Sequence, residues 1–202
     1  MKNIFMEIQS SLHKNCILSL YGKSGTGKTS FTLYFVGYLI TRCKPYQDQC
    51  VWIQASEFFP SRRLVQLFKE DIEILRYIRN NIFITPSKHP FLSYQEQSRY
   101  LSEIEGRTFP PELKYIVIDN ISHHLRFEVS RYPSISEKVK LLNSFYESQL
   151  LPLVLFCQIN NINLILIHEV SYHPSLERTV PFFYKLYSRI EKKKKKKKIS
   201  SS

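Results

Sequence analysis

Residues 22–30 read Gly-Lys-Ser-Gly-Thr-Gly-Lys-Thr-Ser and hold three of the chain's five glycines. Gly22, Gly27, Lys28 and Thr29 satisfy the spacing G-x-x-x-x-G-K-[ST]. Glycine permits backbone angles that turn successive N–H groups inward around phosphate oxygens, and a helix opening at the end of the loop adds positive partial charge. In such a loop Gly22, Lys23, Ser24, Gly25, Thr26, Gly27, Lys28, Thr29 and Ser30 form the nucleotide-binding set. Lys28 reaches the β- and γ-phosphates and acts in catalysis, while Thr29 ligates Mg²⁺. The chemistry also requires a carboxylate at the end of a neighbouring strand to hold the magnesium through water. Asp119, directly after the apolar run Tyr115-Ile116-Val117-Ile118, is the candidate. The expected cofactors are a nucleoside triphosphate and Mg²⁺.

The elements that must position these residues alternate along the chain. The run Asn15–Gly22 (NCILSLYG) predicts a strand that stops at glycine, and Lys28–Pro45 is helix-length and stops before proline. Residues 50–54 (CVWIQ) predict a second strand. Residues 61–78 carry Leu64, Leu67, Phe68, Ile72, Leu75 and Ile78 at helical spacing, which predicts one helix. Residues 81–85 (NIFIT) predict a third strand. Ser93 and Glu96 form a capping box before a helix that Gly106, Pro110 and Pro111 end. Then come the strand 114–119, a long helix from about Ser136 that Pro152 kinks or divides, and the strand 162–168. A loop is expected from Ser171 to Pro181, then a last strand within 182–190. The strands are apolar throughout, which suits a parallel sheet covered by helices on both faces. The expected fold is a three-layer α/β P-loop NTPase with a mainly parallel central sheet.

At 202 residues the expected organisation is one domain over 1–191, followed by a disordered lysine-rich tail over 192–202. The formal charge is +12, but Lys192–Lys198 supply seven, leaving 12 − 7 = +5 for the body. The lysine run fits a DNA-binding tail, a membrane-surface tail or a solvated end with no specific partner, and weak, salt-sensitive attraction for nucleic acid is the expectation taken. Cys16, Cys43, Cys50 and Cys157 show no CxxC spacing, and no secretory pattern opens the sequence, so reduced thiols in a cytoplasmic protein are expected. The longest apolar run, Leu150–Ile159, contains Pro152 and falls short of the roughly 20 residues of a membrane span. No membrane association is expected. His168, Glu169 and His173 resemble the zinc motif H-E-x-x-H, but the second histidine comes one residue too late to share a helical face.

Over roughly residues 10–191 several stretches together resemble the RecA and RadA recombinase superfamily, most of all its short archaeal RadB-like branch. They are the loop at 22–29; 51–64 (VWIQASEFFPSRRL), similar to the family's strand ending Asp-Thr-Glu-Gly and its Pro-x-Arg helix start; 116–131 (IVIDNISHHLRFEVSR), similar to its magnesium strand and Phe-Arg-x-Glu segment; and 162–170 (INLILIHEV), similar to its Thr-Asn-Gln-Val strand end. The resemblance implies a RecA-like core and a catalytic base after the second strand. Glu57 is the carboxylate there, although ungapped alignment puts Ser56 at that position. His168 and Glu169 replace the family's γ-phosphate-sensing Asn-Gln pair, so an anion that would repel phosphate stands where the family has an amide, unless a metal or cation intervenes. Slow or absent hydrolysis is therefore expected.

The resemblance further implies DNA contacts in the loop after the fourth strand, where Arg126 and Arg131 lie among His123, His124, Phe127 and Tyr132. An ordinary basic loop has the same composition. The stretch between Val170 and Pro181 is too short to match the second DNA-binding loop of a strand-exchange enzyme, and no N-terminal DNA-binding domain is expected ahead of Gly22. The implied role is an ATP-binding accessory factor of DNA repair and homologous recombination, with DNA, chiefly single-stranded, or a partner recombinase as its target. Oligomer and monomer both stay open. The competing readings are a P-loop small-molecule kinase, which would need an arginine-bearing lid, and a KaiC-like nucleotide-binding regulatory module.

Overall fold

Apolar strands without alternation need cover on both faces, and the computed structural model, which describes residues 6–8, 10, 12, 17–42, 47–173 and 178–181, supplies it. The elements are β1 (Ile17–Tyr21), α1 (Lys28–Thr41), β2 (Gln49–Gln54), α2 (Ser61–Leu67), α3 (Ile72–Asn81), β3 (Ile82–Thr85), α4 (Tyr94–Ser102), β4 (Leu113–Asp119), α5 (His123–Ser130), α6 (Ile135–Phe145), α7 (Leu151–Ile159), β5 (Asn163–His168), β6 (Val170–His173) and β7 (Arg178–Pro181). Among the described residues, β1 to β5 form one five-stranded sheet, parallel throughout, in the spatial order β1-β5-β4-β2-β3.

Successive residues of the central strands point to opposite faces, so each strand feeds two cores. Val51, Ile53, Ile116, Ile118, Leu164 and Leu166 meet Leu101 of α4, Leu125 of α5, Phe145 of α6 and Leu153 of α7. Cys50, Trp52, Tyr115, Val117, Ile165 and Ile167 meet Leu33, Val36 and Ile40 of α1, Leu64 of α2 and Ile78 of α3. Burying one such side chain contributes about 1.5–3 kcal/mol. The two cores hold the sheet at a fixed place between helical layers, and with it the loops at the strand ends. Gly37 lets α1 lie close: a Cβ there would collide with the Phe68 ring and come within 3.0 Å of Ile78 Cδ1. No helix among the described residues is long and apolar enough to cross a membrane.

Four local expectations are corrected. The helix expected over 61–78 is two helices, because Asp71 adopts extended angles and its Oδ1 accepts from Ile74 N–H at 2.9 Å, starting α3 afresh. The stretch 171–181, expected as a loop, contributes β6 and β7, which pair antiparallel from Val170↔Pro181 to His173↔Arg178. The segment after β4, expected as a basic loop, is helix α5. The box at Ser93 is half formed: Ser93 Oγ accepts from Glu96 N–H, but Glu96 Oε2 accepts from Leu92 N–H. A complete box opens α6 at Ser134 and Glu137. Pro152 divides the long helix as expected, sitting in the first turn of α7 after a π-helical turn over Tyr146–Leu150. Widening the helix there relieves the clash of the proline ring with the carbonyl four residues earlier. The strand expected within 182–190, the lysine tail, Cys16 and Cys43 lie outside the described residues.

Asp71→Ala removes the cap of α3 and is expected to lower stability by about 1 kcal/mol, read as a fall in the denaturant midpoint at unchanged m-value. An unmoved midpoint would show that α3 starts for another reason.

Candidate functional site

Parallel strands put all their C-terminal ends at one edge, and ligands of open α/β sheets bind in the crevice there. Register fixes that edge: Tyr21 lies beside His168, and Gln54 beside Asp119. The loops leaving β1, β2, β4 and β5 surround a cleft of about 400 Å³ lined by the glycine loop and by Ser56, Glu57, Arg63, Asp119, Asn120, His123, Ile167 and Glu169.

The loop wall is shaped by backbone conformation. Gly25 and Gly27 have φ of +77° and +84°, angles that strain any residue with a Cβ, and neither has an atom within 4 Å of where a Cβ would sit. Gly27 caps α1 without a side-chain hydrogen bond, and the first turn of α1 holds no acidic residue. The N–H groups of that turn and the partial positive charge of the 14-residue helix are therefore presented where Lys28, Thr29 and Ser30 line the cleft. Lys28 Nζ donates to the carbonyls of Gly22 and Lys23 at 2.9 Å each, and Thr26 Oγ1 donates to Lys23 O at 2.9 Å. The loop is thus closed around its own ammonium group. Such a wall suits an oxyanion with several oxygens.

Thr29 joins this wall to the sheet. Its Oγ1 donates to Asp119 Oδ2 at 2.8 Å, so the hydroxyl on α1 and the carboxylate at the tip of β4 meet across β5. Burial pushes the Asp119 carboxyl up to about 6; the Thr29 bond and Lys28 lower it, and nearby Glu57 raises it further. A hydroxyl beside a partly buried carboxylate matches a hard divalent cation that keeps several waters and shares ligands with a bound phosphate. Thr29 and Asp119 fit Mg²⁺ in that way.

The other expected site residues fall in different places. Glu57 and Ser56 both line the cleft, after the backbone N–H groups of Ala55 and Ser56 bond to Asp119 O at 2.7 and 3.4 Å. His168 does not line it. Its side chain is buried beneath the site, its Nε2 lies 3.3 Å from Ser19 Oγ, and burial lowers its imidazole to about 3, so it is neutral at physiological pH. Glu169 does line the cleft, and its charge is compensated. Arg126 Nη1 bonds to Glu169 Oε2, Asn120 Nδ2 donates to Oε1 at 3.2 Å, and His123 Nδ1 stands 3.6 Å from Oε1. The condition attached to that anion is therefore met: a cation does intervene, and it comes from α5. Arg131 is more exposed and pairs with Glu128 at 3.2 Å.

Arg63, Asn120, His123 and Ile167 also line the cleft, and none was named as a site residue from the sequence. Arg63 donates to Ser30 Oγ at 2.9 Å, binding α2 to α1 beside the cleft. The two-arginine helix start at 62–63 is visible in the sequence, but which arginine faces the cleft is not. Asn120 and His123 enter through the turn after β4, where Ser122 N–H and Oγ both donate to Asn120 Oδ1 at 3.0 and 2.8 Å. Asn120 was signalled only by its place beside Asp119, and His123 by its place in the basic, aromatic stretch after β4. Comparison with protein-family models and with curated proteins finds no match to this chain.

The raised carboxyl of Asp119 has a stability consequence. A native value of about 6 against 3.8 unfolded means that the native state holds its proton more tightly, so stability is lost as pH rises from 4 to 6. Asp119→Asn is expected to stabilise the ligand-free protein by about 1–3 kcal/mol at pH 7–8, with no difference from the parent near pH 3.5. Thermal melts across that range check it; a pH-independent difference would contradict the assignment.

Proposed function

We propose that this chain binds ATP with Mg²⁺ on a P-loop core of RecA type, hydrolyses it slowly, and serves as a RadB-like accessory factor of DNA recombination and repair. The observation that carries the nucleotide reading is the Thr29–Asp119 hydrogen bond, which brings the glycine-loop helix and an acidic strand end together in one cleft. The α-, β- and γ-phosphates would lie along the N–H groups of residues 22–30, and Lys28 would transfer its hydrogen bonds from the Gly22 and Lys23 carbonyls to phosphate oxygens. Mg²⁺, when bound between Thr29, Asp119 and the phosphates, would neutralise charge that builds on them during transfer.

The reading of slow hydrolysis is supported by the residues around the cleft. Glu57 and Ser56 both border the cleft, so a carboxylate is available to orient water, but the family's neutral amide sensor is replaced by Glu169, held by Arg126, while His168 is buried. The recombination role is supported by the order and spacing of the four family-like segments. The target would be single-stranded DNA or a partner recombinase, with α5 and the β6–β7 hairpin adjoining the cleft through Glu169 as the elements that nucleotide could influence.

Lys28→Ala is expected to weaken binding of a non-hydrolysable ATP analogue by at least about tenfold without unfolding the chain, because the ammonium faces the cleft and not the core. Asp119→Asn should weaken binding in Mg²⁺ and should not weaken it in EDTA, where removing the carboxylate lessens repulsion of the phosphates. Calorimetric titration checks both, and equal affinities across the three proteins would remove the nucleotide reading. For the DNA half, single-stranded DNA affinity is expected to change when the analogue is bound. Independent binding of the two, together with recovery of no recombinase alongside the protein, would remove the recombination reading while leaving the nucleotide site standing.

A further inference from the structure

Glu169 is the carboxylate of the cleft whose charge is met by a guanidinium from outside the cleft lining. Arg126 sits on α5, its Nη1 bonds to Glu169 Oε2, and Glu169 in turn faces the cleft, so the guanidinium is one carboxylate away from any ligand there. The pair is partly exposed on both sides, with side-chain accessibilities of 39% for Arg126 and 29% for Glu169. It can therefore rearrange without opening the core. Glu169 is held at the cleft edge: its backbone N–H donates to Ser122 Oγ at 2.9 Å, and its carboxylate also accepts from Asn120.

We propose that a bound terminal phosphate takes Arg126 from Glu169, and that this exchange sets how strongly the site distinguishes a nucleoside triphosphate from a diphosphate. The inference rests on the nucleotide reading above. A phosphate carrying two negative charges competes for a guanidinium more strongly than one carboxylate does, and both acceptors match its two-pronged geometry. The exchange also leaves a carboxylate uncompensated beside the phosphate, so each triphosphate bound works against Glu169. A diphosphate that stops short of the pair leaves it intact. The site is thereby biased toward the diphosphate by one residue, Glu169, and toward the triphosphate by the other, Arg126. Because α5 carries Arg126 and β6 begins at Val170, both elements would register the exchange.

The test measures Mg²⁺-ADP and a Mg²⁺-bound non-hydrolysable ATP analogue by calorimetry on the full chain, its Glu169→Gln and Arg126→Gln variants, and the double variant. Glu169→Gln is expected to raise the triphosphate-to-diphosphate affinity ratio about tenfold, Arg126→Gln to lower it about tenfold, and the double variant to fall between them. A pair that merely holds the fold together would instead move both nucleotides alike, or shift the ratio in the same direction in both single variants, and either result overturns the proposal. Should Arg126→Gln fail to fold, Glu169→Gln decides alone, since an unchanged ratio in that variant is equally fatal. Loss of both nucleotides in the unmodified chain would overturn the nucleotide reading and the exchange with it; nucleotide binding that is sensitive to Lys28→Ala but shows no change of ratio would overturn the exchange only.

Discussion

The hydrogen bond from Thr29 to Asp119 is the contact on which the cleft depends. β1 and β4 are not neighbours; β5 lies between them, and the bond has to reach over its end from the first turn of α1. That is possible only when three strands end at matching heights, when α1 turns back over the sheet immediately after Gly27, and when both cores hold the helices at their packing distance. A slip of one residue in β4 would reverse which of its side chains face each layer and withdraw Asp119 from the edge. The buried strands are thus a device for placing one hydroxyl and one carboxylate within 2.8 Å of each other.

The same arrangement costs stability. A carboxylate held out of water beside Glu57 is raised to about 6, and only Thr29 and Lys28 oppose that rise. Packing around the strand tip keeps the carboxylate there in spite of it, through the backbone bonds of Ala55 and Ser56 to Asp119 O and of Ile121 to Ile167 O. Strain and unfavourable electrostatics held by a rigid surround are common where a site is prepared for a ligand charge. In the glycine loop the preparation is free of strain, because the two residues at positive φ are Gly25 and Gly27, and the helix end lacks a side-chain cap.

Around the cleft, three cations rest on hydrogen-bond acceptors of the fold. Lys28 rests on loop carbonyls, Arg63 on Ser30 and Arg126 on Glu169. Each cation is poised next to the cleft on a partner weaker than a phosphate, or on an anion that a phosphate could replace. Under the proposed function, nucleotide binding is then a change of hydrogen-bond partners within a formed site. His168 takes no part in it, since burial keeps the imidazole neutral and aimed at Ser19.

Local chemistry made the loop, the acidic strand end and the alternation of strand and helix readable, because glycine conformation, helix capping and apolar runs act over a few residues. Asp119 could be named from the sequence because a carboxylate ending a buried strand is conspicuous. The break at Asp71 was written in a capping residue but hidden by apolar positions that kept helical spacing across it. The pairing of β6 with β7 depends on contacts along a short hairpin that no pattern in 171–181 announced. Most of all, the meaning of Glu169 was not in its own neighbourhood. Its partner Arg126 is 43 residues away, and the two meet only because β4 and β5 lie side by side and α5 folds back over their ends. An isolated anion at 169 reads as repulsive to phosphate; the same anion bonded to a guanidinium is a compensated pair. Which of these it is was decided by the packing of strands and helices, because electrostatic energy depends on distance in space and the sequence records only distance along the chain.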